Sequence, residues 1–313
     1  MLASDRAKRE ITNPDWNPTI AKFNKYTAKL ITTIQSVLRT RHMKSENLIN
    51  SKMNKRRSFL GNSMAALGTL TVAETAIRVA GAAEPPSFVI PAPEITSLKV
   101  AGESVDFPVR RVYCLGRNYK AHVEEIGGNT KTHKPLFFMK PRDAIVASGN
   151  KFPYPPGSKS VHHEVELVIA IGKVGSHIEA ATALEYVYGY AVGLDMTRRD
   201  LQIVAAKAGE PWEIGKSFDY SAPCSAIQPA EIIGHPKQGR IWLRVNDQMR
   251  QDSDISQLIW DTAKGVSTLS DYYRLEPGDL IFTGTPAGVG EVVRGDLVHA
   301  GIDGVGEISV TVS

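Results

Sequence analysis

The sequence predicts a strand-dominated α+β fold, and three observations carry that prediction. From residue 87 onward short apolar or alternating runs recur between glycine and proline turns, only three stretches show helix boundary signals, and strands do not alternate with helices as a doubly wound sheet requires. With 313 residues, 42% of them hydrophobic, the chain can bury a sizeable core.

The elements follow in order. SFVIPAPEI and LKVAGESVDFPV read as an extended lead-in, RRVYCLG as a buried strand, and PLFFMKP as a strand closed by prolines. Between the last two, GRNYKAHVEEIGG predicts a helix that starts at a polar turn and stops at Gly127-Gly128, where glycine supplies a left-handed cap. HHEVELVIAIG, residues 162–172, reads as one strand, and EYVYGYAVGLD as the next. MTRRDLQIVAAKAGEPWEIGK predicts a helix from Thr197 to about Lys207, with Thr197 and Asp200 at capping-box spacing and Gly209 as its stop. RIWLRVNDQMR predicts a hairpin turning at Asn246-Asp247, IWDTAKGVSTLSDYYRL a helix, and DLIFTGTPAGVG and EISVTVS late strands.

The first 86 residues read as an address. Residues 1–60 hold 13 Lys/Arg and 4 Asp/Glu, so the remaining 24 and 29 leave the folded part mildly acidic and a nucleic-acid partner without support. Residues 1–52 are polar and basic, an upstream extension if Met53 is the start. Residues 53–83 resemble a twin-arginine export signal: Lys55, Arg56 and Arg57, a weakly apolar stretch from Phe59 to Val72, and Ala80-Gly81-Ala82 as a cleavage site. A periplasmic location is the expectation, with an amphipathic helix as the competing reading, and the stretch is too short and interrupted for a membrane span. Residues 84–104 are the lead-in. Cys114 and Cys224 form no zinc or disulfide pattern and are expected as buried thiols.

Glu164 and Glu166 stand at alternate positions of an apolar strand, so they share a face with Cα atoms roughly 6.6 Å apart. Val168 and Ala170 continue that face, which argues for burial and for a cation that relieves two facing carboxylates. Solvated glutamates on an edge strand are the bland alternative. Asp195, which ends YAVGL just before a helix, makes a third oxygen ligand or else a helix cap. Three carboxylates favour Mg²⁺, Mn²⁺ or Ca²⁺ over zinc. His122 and Glu125 share a helix face at i, i+3, a spacing that suits a carboxylate-oriented imidazole base or a mere surface contact. Lys216 lies in apolar surroundings. TGTPAGVG, residues 283–290, is neither a P-loop nor GxGxxG; its amides and Thr285 suit a carboxylate, or the run is only a tight turn.

GRNYKAH, FFMKP, HHEVEL, GYAVGLDMTRRDLQ, PWEIGKSFD and DLIFTGTPAGVG stand in the order expected of the fumarylacetoacetate hydrolase family, and residues 105–313 resemble its catalytic domain throughout. VGLDMTRRDLQ, PWEIGK and SQLIWDTA resemble its fumarylpyruvate hydrolase and acylpyruvase branch. The resemblance implies a mixed β-sandwich roll, a homodimer, and Mg²⁺ or Mn²⁺ on Glu164, Glu166 and Asp195. It further implies His122 and Glu125 as the water-activating dyad, Lys216 in the active site, and Arg117 and Thr285 against the oxygens of a small 2-oxo acid. The expected reaction is C–C hydrolysis of a 3-acylpyruvate such as fumarylpyruvate. Decarboxylation of oxaloacetate and isomerisation of an unsaturated oxo-diacid are alternatives within the family, and carboxylate binding without turnover is one outside it.

Overall fold

A mixed sheet of eight strands runs through the centre of the computed structural model, which describes residues 88–127 and 134–313. Seven strands lie in the order Leu136–Lys140, Arg111–Gly116, Asp279–Phe282, Val165–Ile171, Val187–Leu194, Ala222–Cys224 and Ile145–Ala147, and Gln228–Pro229 pairs with Val187–Leu194. Val165–Ile171 is buried at every position. Val165, Leu167, Ile169 and Ile171 enter one core and Val168 and Ala170 another, so both faces of this strand are covered. Predicted residues 1–83 lie outside the described residues, and among those described no helix is long and apolar enough to cross a membrane.

Five strands form the second sheet, in the order Gln248–Asp254, Arg240–Val245, Leu297–Ile302, Gly306–Val312 and Lys151–Phe152. Their inward residues, among them Ile241, Leu243, Val298, Ala300, Ile308 and Val310, pack on the first core and close a β-sandwich. The opposite face of the large sheet is covered by the pair Ser97–Lys99 and Asp106–Pro108, through Leu98 and Phe107. Cys114 and Cys224 are free thiols in this second core, and burial pushes the Cys224 thiol up to about 12. The strand-dominated prediction holds.

One strand of the prediction is two. Residues 162–172 do not run continuously: Val161–His163 sits in a small sheet between Thr197–Arg198 and Gly290–Val292, and Val165–Ile171 belongs to the large one. Glu164 is the joint. Its carbonyl accepts from Asp195 N at 2.8 Å, and the next amide, Val165 N, donates to the Gln251 side chain at 3.1 Å. One backbone amide and one side-chain acceptor thus hold the chain where it changes sheets.

The helices are Lys120–Glu125, Arg199–Ala208 and Thr262–Tyr272, with shorter turns at Glu213–Lys216 and Ala230–Ile233. Gly127 (φ 75°) and Gly209 (φ 70°) follow the first two helices as left-handed stops, as their positions predict. The capping box of Thr197 and Asp200 does not form. Thr197 precedes the helix and donates its hydroxyl proton to Asp195 O (3.0 Å), while Asp200 accepts from Ser158 Oγ (2.7 Å) and Lys159 N (2.8 Å), tying the helix to the preceding loop. The hairpin turns at Asn246 (φ 50°) and Asp247 (φ 65°), the left-handed pair that a two-residue turn between twisted strands needs.

Candidate metal centre and acid–base pair

The large sheet brings the acidic residues together at one end. Glu166 lies on Val165–Ile171 opposite Gly193, Asp195 follows directly on Val187–Leu194, and Glu164 enters from the joint. All three are buried, and one oxygen of each lies within 4.8 Å of the others. Although the two glutamates are not on one strand as predicted, their carboxylates still converge.

Three cations surround them, of which sequence reasoning named only Lys216. Its Nζ donates to Glu164 Oε2 (2.8 Å), Asp195 Oδ2 (2.6 Å) and Thr197 Oγ1 (2.7 Å), which uses all three of its protons. Arg199 pairs with Glu164 Oε1, and Lys140 Nζ lies 2.8 Å from Asp195 Oδ1 while donating to the carbonyls of Met196 and Lys216. Lys140 and Arg199 stood in the runs FFMKP and TRRDLQ, where nothing local marks them. Their partners lie 55 and 35 residues away, respectively, as the numbering of Asp195 and Glu164 shows.

Glu166 receives no such cation among the described residues; its Oε2 accepts only the amide of Gly284, at 2.8 Å. Burial, then the like charges of Asp195 and Glu164, hold its carboxyl well above the usual range. Burial raises Glu164 as well, but Lys216 and Arg199 reverse this and hold it well below. For Lys216 burial alone disfavours the charge, yet Asp195 and Glu164 outweigh it and the ammonium is held above its ordinary value. One uncompensated carboxylate in an all-oxygen cluster is what a divalent hard cation corrects, so the residues present fit such an ion.

His122, on Lys120–Glu125, is buried, and its Nδ1 lies 3.0 Å from Glu125 Oε2. The predicted pair is formed, and Glu125 is itself held through Oε1 by Gly288 N at 3.0 Å. The glycine-rich loop therefore does bind carboxylates through its amides, and they are the protein's own: Gly284 takes Glu166 and Gly288 takes Glu125. Both glycines have φ 95°, and a Cβ on Gly288 would stand 2.1 Å from Arg250 O. Asn118, unnoticed in the sequence, fastens the loop to the helix start. It donates from Nδ2 to Thr283 O (2.7 Å) and Trp260 O (2.9 Å) and accepts from Trp260 N (2.7 Å).

One pocket gathers these groups. His122, Arg117, Lys216 and Thr285 line it together with the three carboxylates, Arg199 and Gln202, and Ile126, Phe138 and Trp212 supply apolar wall. Its cavity volume is ≈ 20 Å³, room for a water or an ion. Arg117 has left-handed backbone (φ 59°), its guanidinium lies over the Trp212 ring at 5.3 Å, and its Nε has no protein partner among the described residues. His162, left out of the predicted site, is turned to Ser160 Oγ at 3.1 Å.

Fold and site define a β-sandwich protein with a buried cluster of three carboxylates, able to hold a divalent cation, beside an imidazole paired with a fourth. Residues 111–313 match the fumarylacetoacetate (FAA) hydrolase C-terminal family, and the chain belongs to that family. It is 48% identical over 177 residues to a fumarylpyruvate hydrolase of a Ralstonia species, covering 56% of this chain and 92% of the relative. An oxaloacetate tautomerase of Mus musculus mitochondria is 44% identical over 196 residues, 63% of this chain and 88% of that protein. Among solved structures, a fumarylpyruvate hydrolase of Pseudomonas aeruginosa in complex with Mn²⁺ and pyruvate superposes with a TM-score of 0.71 at 51% identity, covering 72% of this chain and 99% of that one.

Proposed function

We propose that this protein hydrolyses the C–C bond of a 3-acylpyruvate, with fumarylpyruvate as substrate and fumarate and pyruvate as products. The observation that carries the reading is that three buried carboxylates and the His122–Glu125 pair serve one pocket. Similarity to fumarylpyruvate hydrolases, one of them holding Mn²⁺ and pyruvate, supports it.

Glu164, Glu166 and Asp195 would hold the cation, Mg²⁺ by preference, with Mn²⁺ or Ca²⁺ compatible with the same donors. When bound, that ion supplies Lewis-acid charge next to the enolate that cleavage generates. The chain does the rest. Glu125 engages Nδ1 of His122 and leaves Nε2 to take a proton from water. The hydroxide adds to the carbonyl two carbons beyond the 2-oxo group. As that adduct collapses the C–C bond breaks, its electron pair passes to C3 of the pyruvate fragment, and His122 returns the proton there. Water thus supplies OH to the acid and H to pyruvate. Lys216 places its charge beside the developing anion, and Arg117 and Thr285 meet the substrate's oxygens.

A second reading shares the enolate: keto–enol interconversion or decarboxylation of oxaloacetate, or isomerisation of an unsaturated oxo-diacid. The 44% identity to the mouse tautomerase favours it. Assaying fumarylpyruvate, acetylpyruvate and oxaloacetate with and without Mg²⁺ decides. Release of pyruvate plus fumarate only in the presence of metal supports hydrolysis, and turnover of oxaloacetate alone overturns it. A homodimer and export through the twin-arginine-like leader complete the proposal. Light scattering in solution tests the first, and N-terminal sequencing of the natural protein tests the second.

A further inference from the structure

We infer that Gln251, which is not part of the pocket lining, fixes the direction in which Thr285 gives its hydroxyl proton and so makes that wall of the pocket a donor to an anionic oxygen. The inference rests on the reading of the pocket as a 2-oxo acid site. Gln251 is fully buried on Gln248–Asp254. Its Oε1 receives Val165 N and His163 Nδ1, each at 3.1 Å, and its Nε2 reaches Thr285 Oγ1 at 2.7 Å and Pro286 O at 2.8 Å.

The amide orientation is forced from both ends. Val165 N–H can only donate and Pro286 O can only accept, so oxygen faces the first and nitrogen the second. His163 must then carry its proton on Nδ1. Thr285 Oγ1 accepts from the amide, so its own proton cannot point back along that bond. Among the described residues no protein oxygen takes that proton, and Thr285 lines the pocket. A ligand oxygen bearing negative charge takes that proton and completes the chain. His163, Gln251 and Thr285 thus act as a positioning relay, and the selective contact is made by Thr285.

The test is a cycle of variants read by pyruvate affinity, measured by calorimetry on the Mn²⁺-loaded protein, with KM and kcat as a second readout. Gln251→Glu keeps the shape but offers two acceptors, so the Thr285 proton turns toward it and away from the pocket. Affinity for pyruvate should fall about 10- to 100-fold, and KM should rise alike with kcat changed only a few-fold. Thr285→Val should lose a similar factor, and adding Gln251→Glu to it should cost nothing further. Thr285→Ser should restore affinity and, with it, sensitivity to Gln251→Glu. If Gln251→Glu fails to fold, Gln251→Met frees the hydroxyl without adding charge and should weaken binding by about 3- to 10-fold, again only when Thr285 is present. Losses that multiply in the double variant overturn the relay. Wild-type pyruvate affinity in Gln251→Glu refutes this inference alone, while a wild-type protein that binds no pyruvate refutes the 2-oxo acid reading and the relay with it.

Discussion

Replacing Glu166 by Gln should stabilise the metal-free protein while removing its response to metal. Oxygens of Glu164, Glu166 and Asp195 lie within 4.8 Å of one another, so each like-charge pair costs at least about 3 kcal/mol at an effective dielectric near 20. Lys216 and Arg199 offset this at Glu164, but Glu166 accepts a single backbone amide. The glutamine keeps that bond through its own oxygen. A neutral group of the same volume, in place of a carboxyl that must either bear this repulsion or take up a proton to fold, should therefore yield roughly 2 kcal/mol, which for a folded unit of this size raises Tm by about 4–8 °C. Burial and the two neighbouring carboxylates raise the Glu166 carboxyl above its ordinary 4.5 in the folded state, so the folded protein holds a proton that the unfolded chain has released. Stability of the chelated wild type should accordingly fall as pH climbs from about 4.5 through the raised value, and Glu166→Gln should flatten that slope. Calorimetric melts in chelator, across pH and then with Mn²⁺ added, measure both effects. A chelated variant that melts at or below the wild type, or one that gains as much from Mn²⁺, would falsify the reasoning.

Three other substitutions test the remaining parts of the site. Glu164→Ala should abolish metal-dependent turnover, and full activity of chelator-treated wild type would reject the metal role altogether. His122→Ala should lower hydrolysis by about 10²- to 10⁴-fold while Mn²⁺ still binds by titration calorimetry; a near-normal rate reassigns the base. Asn118→Ala strands the carbonyls of Trp260 and Thr283 and the amide of Trp260, and should cost about 2–4 kcal/mol in denaturant unfolding; a loss below about 0.5 kcal/mol contradicts the clasp.

Much of the fold was legible because its strands announce themselves locally. Residues 165–171 alternate between two cores, and Asn246-Asp247 carries the turn chemistry of its hairpin. The break at Glu164 was not legible, since Val161–His163 and Val165–Ile171 are each good strand sequence and their separation is set by Asp195, Arg199 and Gln251. Leu297–Ile302, central in the second sheet, went unnamed because Gly295 and Gly304 enclose only a short run with a histidine in it. Thr197 looked like a helix cap because its competing partner, the Lys216 ammonium, is 19 residues downstream. The residues of the acidic cluster could be picked out because buried carboxylates are rare in apolar runs. Lys140, Arg199 and Gln251 could not, because a lone polar residue takes its meaning from a neighbour the sequence places far away.

Two amides of one short loop, those of Gly284 and Gly288, grip two different carboxylates: Glu166 of the acidic cluster and Glu125 beside the imidazole. The backbone between them works as a caliper. Four peptide units with two left-handed glycines separate the two donors, and neither bond involves the side chains of Phe138 or Trp212 on the apolar wall. Substitution in that wall should therefore leave both bonds, and with them the spacing of the His122–Glu125 pair from the acidic cluster, in place.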